Sequence, residues 1–257
     1  MSDNNIEEMY GTQFMWAEPV EYKGVVLNPV TCRDMQKFYS SVNCLLYDTL
    51  RYNTMVSTLP RLYFITDLIN HVDDQNYILE NKLLYEMFIC LQTILKIVLG
   101  NNQEFNFVES KGKWYLQIIR YISDSKNSII DIKAKDFNII REIILHQNGV
   151  DYDDTFVHED IRKWIEEHES NSKSPPATIE DYIQAFMIQM KLYKLEEIKN
   201  IPLRYFHKII EKSLLRENYN LQMTASMSGL VSFKGTINHW ITINNKNKIF
   251  EKYFKEI

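Results

Sequence analysis

Apolar side chains recur at helical spacing over long parts of this chain, and this pattern constrains the fold more than any other feature. The i, i+3, i+4 spacing predicts amphipathic helices over residues 179–192, with Thr178 as the cap, and over residues 202–217. A further helical turn is expected over about residues 219–227. Only 7 of the 257 residues are glycine, whereas a content of about 7% is usual. This scarcity disfavours β-sandwiches and barrels with many tight turns, so we predict a predominantly helical α+β fold. The apolar positions of the last two helices are Ile179, Tyr182, Ile183, Phe186, Met187, Met190, Leu203, Phe206, Ile209, Ile210 and Leu214.

Two segments predict small β-hairpins. Residues 19–22 and 25–30 flank Lys23-Gly24, a pair that suits a tight turn. Residues 104–108 and 114–119 flank a second turn at 111–113. A third strand is a candidate just beyond this hairpin, at residues 128–132, and the sequence leaves the strand order open.

Capping residues predict helices around these hairpins. Thr31 and Asp34 match a capping box that would open a helix running to about Tyr47. A second helix is expected to begin at Pro60, since proline suits the first turn, and to reach about residue 70. An amphipathic helix is expected over residues 137–149, ending at Asn-Gly.

The most apolar segment predicts a buried helix. Residues 77–99 carry apolar side chains at helical spacing, and Gly100 is a natural stop. Glu86, Gln92 and Lys96 interrupt the apolar run, and about 20 apolar residues are needed to cross a bilayer. We therefore predict a central core helix and no membrane partner.

The composition changes along the chain and predicts two domains. Residues 169–177 are rich in Ser, Asn, Lys and Pro, which is typical of a linker. An N-terminal helical domain with small β-hairpins is expected over residues 19–168, and a C-terminal helical domain over residues 178–243. Residues 1–18 are interpreted as a flexible arm, and residues 244–257 as a polar tail.

The charge of the chain is concentrated in one acidic stretch. The net charge is −5, and residues 151–169 alone hold eight acidic and two basic residues. A chain with this balance has no general attraction for phosphate backbones or anionic membranes. The acidic stretch is compatible with a Ca²⁺ or Mg²⁺ site and with a solvated turn that precedes a helix, although it lacks the glycine of a calcium loop.

Four basic residues at helical spacing follow Pro202, so the last two helices are compatible with a helix-turn-helix DNA reader. Two glutamates dilute this stripe, and the whole chain is acidic, which favours a helical interaction domain instead. The basic residues are Arg204, Lys208, Lys212 and Arg216.

No sequence motif indicates a catalytic function. Cys32, Cys44 and Cys90 are odd in number and widely spaced, which predicts buried thiols in a reducing compartment. The six histidines show no metal-ligand spacing. The first eight residues lack the features of a signal peptide. We expect no enzymatic activity, no cofactor and no metal site.

Three places in the sequence carry a resemblance to a known family. They are PVEYKGVVLNPV at residues 19–30, KDFNIIREIILHQN at residues 135–148 with DYDD at 151–154, and IPLRYF at residues 201–206 with further matches up to His239-Trp240. In this order they resemble tail or baseplate proteins of contractile-tailed phages of Gram-positive bacteria. The extension over residues 246–257 departs from the family pattern.

The resemblance implies a non-enzymatic virion component that binds other tail or baseplate proteins, or further copies of itself, during tail assembly. It would be found in the host cytoplasm and then in the virion tail. Two alternatives stay open, namely a tail assembly chaperone absent from the mature particle and a helical nucleic-acid-binding regulator. The arm and the aromatic-rich end are the expected contact elements, because buried aromatics dominate interface energetics. The candidate partner-contact residues are Phe233, Lys234, His239, Trp240, Tyr253 and Phe254.

Overall fold

The protein divides into two compact units. A computed structural model describes residues 3–46, 61–71, 73–123, 126–150, 178–192, 194–228 and 239. The first unit comprises the described residues through Val150 together with Lys199–Arg204, and the second unit comprises the others. The predicted linker at residues 169–177 and the predicted tail at residues 244–257 lie outside the described residues.

Helices form most of the described chain, and the predominantly helical α+β class is confirmed. Two 3-10 segments, Cys32–Asp34 and Asp67–His71, accompany the α-helices. The helices are α1 (Asp3–Trp16), α2 (Met35–Ser41), α3 (Asn43–Leu46), α4 (Arg61–Thr66), α5 (Gln75–Glu80), α6 (Lys82–Leu99), α7 (Ala134–Asn148), α8 (Ile179–Met190), α9 (Leu195–Lys199) and α10 (Leu203–Met227). The strands are β1 (Val20–Tyr22), β2 (Val25–Leu27), β3 (Gln103–Ser110), β4 (Lys113–Ser123) and β5 (Lys126–Ile132).

Both predicted hairpins form in the first unit. Strands β1 and β2 pair antiparallel around Lys23 and Gly24, whose φ angles are 51° and 88°. Positive φ at both central residues is the geometry of a type I′ turn, which glycine accepts readily. Lys111 and Gly112 form the corresponding turn between β3 and β4. The predicted third strand is β5, which pairs antiparallel with β4, so the order is β3-β4-β5 with β4 in the centre.

Helix α6 is the centre of the first unit's core. Leu91, Ile94 and Val98 are fully buried on this helix, which contacts α2, α3, α4, β2 and β3. It ends at Gly100 with a φ of 66°, as predicted. The predicted core helix is confirmed, although Asn81 separates it from the short helix α5. Among the described residues, no helix is long and apolar enough to span a membrane.

A buried glutamine holds the backbone of the first hairpin against the three-stranded sheet β3-β4-β5, the middle sheet. Gln103 Oε1 accepts a hydrogen bond from the Val26 N–H at 2.9 Å. Gln103 Nε2 donates to the carbonyls of Val26 and Leu99. The side-chain amide therefore pairs with Val26 as a neighbouring strand would, and it satisfies backbone groups that lie on the inner side of a very short strand.

Two further buried amides, at the end of helix α7, also form hydrogen bonds with backbone groups in and around the first hairpin. Gln147 Nε2 donates to the carbonyls of Glu18 at 3.0 Å and Leu27 at 3.1 Å. Asn148 Oδ1 accepts a hydrogen bond from the Val30 N–H at 2.8 Å. Both amides are completely buried. They therefore supply hydrogen-bond partners where water cannot reach the backbone.

Charged side chains hold the hairpin turn from two sides. Lys23 Nζ lies 2.6 Å from Asp136 Oδ1 on α7, and Tyr22 donates a hydrogen bond to the same oxygen. Burial raises the pKa of Asp136, but the hydrogen bond and charge of Lys23 outweigh burial and hold this pKa below its ordinary value. From strand β4, Arg120 donates to the Gly24 carbonyl at 3.0 Å.

Residues 199–204 return the chain to the first unit. The Cys32 N–H donates to the Ile201 carbonyl at 2.9 Å, and the Leu203 N–H donates to the Val30 carbonyl at 2.9 Å. These bonds form an isolated antiparallel bridge between the segment after β2 and the segment before α10.

The bridge explains why the predicted capping box at Thr31 is wrong. Thr31 pairs with Pro202 in extended backbone, and its side chain makes no capping hydrogen bond. Residues 32–34 form a 3-10 segment, and the predicted helix to Tyr47 is divided into α2 and α3. The long-range pairing overrides the local capping motif.

The interpretation of residues 1–18 as a flexible arm is wrong for the described part, which forms helix α1. Ile6 and Phe14 are fully buried on one face, and the helix contacts α7. Apolar side chains also lie exposed at other positions around this helix, so the sequence shows little amphipathic contrast. These exposed residues are Met9, Met15 and Trp16.

Helices α8 and α10 form the second unit's described core. The predicted cap at Thr178 is confirmed as a capping box, because Thr178 Oγ1 accepts a hydrogen bond from the Asp181 N–H and the Asp181 carboxylate accepts one from the Thr178 N–H. Phe186 on α8 stacks on Phe206 on α10, with 4.9 Å between ring centres. Both rings are fully buried.

Helix α10 is longer than predicted. The sequence suggested a helix over residues 202–217 and a separate helical turn over 219–227, whereas residues Leu203–Met227 form one helix. No glycine or proline lies in this segment to break it. The short helix α9 is an element that the sequence analysis missed.

We expect Gln103→Leu to lower the free energy of unfolding by about 3 kcal/mol, because each unpaired buried polar group costs about 1–3 kcal/mol. Urea denaturation followed by tryptophan fluorescence measures this loss. The matched control is Gln117→Leu on β4, which loses a single side-chain bond to Asp131 and should change stability by less than about 0.5 kcal/mol. Equal losses in both variants would contradict the strand-like role of Gln103.

We expect the free energy of unfolding to depend on pH through the buried side chain of His207. It is buried on α10, and burial lowers its pKa from 6.5 to about 4. Below the unfolded pKa, the unfolded chain binds a proton that the folded chain excludes, so stability falls as pH drops from about 6.5 toward 4. Between about pH 7 and pH 5 the loss from this group should be about 2 kcal/mol. Denaturation at both pH values should show a loss smaller by that amount in His207→Gln than in the unmodified protein; equal losses would contradict the assignment.

Candidate protein-contact surface

Of the six partner-contact residues predicted from sequence, five lie outside the described residues. These are Phe233, Lys234, Trp240, Tyr253 and Phe254. The sixth, His239, is exposed, and its ring centre lies 5.0 Å from that of Tyr219 on α10. The contact role of all six stays a prediction.

The acidic stretch at residues 151–169 also lies outside the described residues. Within the described part, no group of three or more His, Cys, Asp or Glu side chains is arranged to hold a metal ion. Cys44 is buried as predicted, whereas Cys32 and Cys90 are half-buried. Burial raises the pKa of the Cys32 thiol to about 12 and also raises that of Cys44. These two thiols therefore stay protonated near neutral pH.

The predicted basic stripe on the last helix is interrupted at its first residue. Arg204 donates to the His146 carbonyl at the C-terminal end of α7, and its guanidinium lies 5.7 Å from the centre of the Phe14 ring. Glu7 lies 3.8 Å away, and the Arg204 side chain is only 13% exposed. A cation in this position satisfies the last carbonyls of a helix. Arg204 therefore stabilises the first unit and does not extend an exposed basic face.

Within the first unit, described residues of the three segments that carry the resemblance contact one another. Lys23 and Val30 of the first segment contact Asp136 and Asn148 of the second. The third segment binds the first at Leu203 and the second at Arg204. These residues are buried or engaged within the fold, so they form its framework and leave the contact surface to other side chains.

Strand alternation gives the middle sheet one covered face and one open face. On the covered face, Leu116, Ile118 and Ile132 are fully buried, and α4 and α6 pack against this side. Successive side chains of a strand point to opposite faces. The other face carries no buried residue, and we call its apolar residues the open sheet face. They are Val108, Tyr115, Ile119, Tyr121 and Ile129.

The strand register brings these apolar residues together. Val108 on β3 is opposite Tyr115 on β4, and Ile119 on β4 is opposite Ile129 on β5. Residues opposite each other on one sheet face have Cβ atoms about 5 Å apart. Ile129 is 64% exposed and Tyr121 is 42% exposed. The open sheet face thus carries an interrupted apolar strip, in which the polar row of Asn106, Gln117 and Asp131 separates Val108 and Tyr115 from Ile119, Tyr121 and Ile129.

Acidic side chains border this strip. The Tyr121 hydroxyl donates to Glu104 Oε2 at 2.8 Å, and this bond raises the pKa of Tyr121. Gln117 Nε2 donates to Asp131 Oδ1 at 2.9 Å. Glu104 is opposite Ile119, and Asp131 lies in the polar row, whereas Lys113 is a cation of this face beside Tyr115. A surface complementary to the Ile119 and Ile129 side would therefore be apolar with basic residues beside it.

The sequence analysis missed this surface although it predicted its strands. Strand β4 has apolar residues at both alternating positions, for example Leu116 and Ile118 on one face and Tyr115 and Ile119 on the other. A two-sided apolar strand is a signal of burial or contact on both faces. The sequence alone could not say which face the helices cover.

Comparisons with known proteins add no relative. No protein-family model, curated protein or solved structure matches this chain.

We expect Ile129→Thr to change the free energy of unfolding by less than about 0.5 kcal/mol, because this side chain is largely exposed. The matched variant Ile118→Thr, one strand away on the covered face, should cost at least about 2 kcal/mol, because it removes a buried side chain and buries a hydroxyl. Urea denaturation of the two variants measures the difference. A large loss for Ile129→Thr would mean that this face is covered in the isolated protein.

Proposed function

We propose that this protein is a non-enzymatic component of a phage tail or baseplate that binds other tail proteins through the open sheet face. The resemblance of the three sequence segments supports the phage tail assignment. The apolar strip of Val108, Tyr115, Ile119, Tyr121 and Ile129 supports binding through protein contacts. Ile119, Tyr121 and Ile129 form its contiguous part, and contiguous exposed apolar patches on a folded domain mark interaction sites.

The chemistry of the strip supports a protein partner. Two of its five residues are tyrosines, which supply large apolar area and a hydrogen-bonding hydroxyl at low entropic cost. The bordering carboxylates of Glu104 and Asp131 favour a partner with lysine or arginine around an apolar centre. The same acids repel the phosphates of nucleic acids, so this surface favours the tail protein over the nucleic-acid-binding regulator.

The open sheet face also suits an assembly step. A component that is added to a growing tail must be folded alone and then bury surface against its neighbours. Ile129 and Tyr121 are exposed in the isolated chain, and covering them releases ordered water and contributes about 25 cal/mol for each Å² of apolar surface buried. The covered face of the sheet keeps the strands in register before the partner arrives.

Quantitative mass spectrometry of gradient-purified particles, from the host that encodes this chain, tests the proposal. We expect a fixed ratio to the tube or sheath protein, because a structural component has a defined copy number. Presence in the infected-cell lysate and absence from particles would instead identify the tail assembly chaperone. Particles that never form in such a host would refute the phage assignment itself.

A variant tests the surface separately. Ile129→Lys should strongly reduce incorporation into particles, because it places a charge in the apolar strip without disturbing the buried core. The control is Leu79→Lys, which changes another highly exposed apolar residue of the first unit, 77% exposed, outside the strip. Equal incorporation of both variants would exclude the open sheet face as the binding site.

A further inference from the structure

The second half of helix α10 is largely exposed. From Arg216 through Ser228 no side chain is buried. Asn218, Asn220, Thr224 and Ser226 are weak helix formers. Helices of this length are marginal in water unless an apolar face is packed. This part of α10 therefore gains stability if another surface covers it.

One face of this half-helix carries an apolar stripe with an acid inside it. Leu214 and Leu221 are seven residues apart and so lie on the same side of the helix, with Glu217 between them. Their exposed fractions are 42% and 68%. Tyr219, which contacts His239, lies on the roughly opposite side. The contact with His239 therefore leaves the α10 stripe (Leu214, Glu217, Leu221) uncovered.

A complementary surface lies on helix α8 of the same unit. Met187, Ile188 and Leu192 line an open groove whose edge carries Lys191. Ile188 is 80% exposed. Lys191 ends the helix in a left-handed conformation, with φ 53°. We call this surface the α8 groove. Within the described part of the chain, neither Lys191 nor Glu217 makes an ion pair.

We propose that the α10 stripe of one copy of this protein seats in the α8 groove of a second copy, and that the contact is repeated by two-fold symmetry. Leu214 and Leu221 would fill the groove beside Met187 and Ile188, and Glu217 would pair with Lys191. The α10 stripe of the same copy does not fill the groove, because Leu221 and Ile188 are both exposed in one chain.

Charge and area both favour a second copy as the occupant. The stripe carries an acid and the groove a base, so each surface complements the other and not itself. Two-fold symmetry buries two stripes and two grooves at once. Specific interfaces bury roughly 1,200–2,000 Å², and the symmetry doubles the area that one stripe and one groove contribute. Methionine in the groove suits a helical ligand because its side chain adapts to the partner's shape.

Sedimentation equilibrium of the full chain tests the proposal. The unmodified protein should dimerise with a dissociation constant below about 100 µM. Leu221→Glu should remain a monomer at protein concentrations up to that value. Circular dichroism checks that the variant remains folded, which the exposure of Leu221 leads us to expect. An unmodified protein that stays monomeric throughout this range would overturn the proposal.

Charge reversal locates the contact. Lys191→Glu and Glu217→Lys should each weaken dimerisation by about tenfold, because each places like charges together, and the double variant should recover most of this loss. Arg216→Glu on the far side of α10 is the matched control and should leave the dissociation constant unchanged. A dimer indifferent to all these variants would place the interface elsewhere.

This inference is independent of the tail proposal. All the residues altered here belong to the second unit, whereas the open sheet face belongs to the first. An unmodified protein that is monomeric but present in particles at a fixed ratio would overturn the dimer contact alone. A dimer that is absent from particles would overturn the tail proposal alone.

Discussion

The first unit depends on buried amide side chains that form hydrogen bonds with the backbone at and beside a short hairpin. Strands β1 and β2 have only three residues each, so their backbone groups cannot all be paired within the hairpin. Gln103 and Gln147 supply partners for β2 inside the core, and Asn148 pairs with Val30 beyond the end of β2. Because an unpaired buried backbone group is costly, these hydrogen bonds fix where β3 begins and where α7 ends relative to the hairpin. The return of the chain at Leu203 uses the Val30 carbonyl in the same region.

This framework determines which surfaces stay exposed. The hairpin and helices α4 and α6 leave the open sheet face of β3, β4 and β5 uncovered. In the second unit, the stacking of Phe186 on Phe206 uses the first half of α10 and leaves its second half exposed. Both functional proposals therefore rest on apolar side chains that are exposed in the described part of the chain, which is the condition under which association is favourable.

Elements governed by local chemistry could be predicted from the sequence. Lys23-Gly24 and Lys111-Gly112 indicate their turns because glycine accepts positive φ, Gly100 and Gly149 end helices for the same reason, and Thr178 caps α8 through Asp181. The failures occur where a distant segment competes. Thr31 pairs with Pro202 instead of capping a helix, and α1 is held by the burial of Ile6 and Phe14, which its weak amphipathic pattern does not announce.

The sequence by itself determined the helical class, both hairpins, the core helix α6 and the caps of α7 and α8, because turn, capping and periodicity preferences act over a few residues. Only the tertiary structure decided that Ile129 is exposed while Ile118 is buried, that Arg204 closes helix α7, and that the amide of Gln103 pairs with Val26. These outcomes depend on which elements pack together, and burial of a face is a property of long-range packing that strand alternation alone cannot assign.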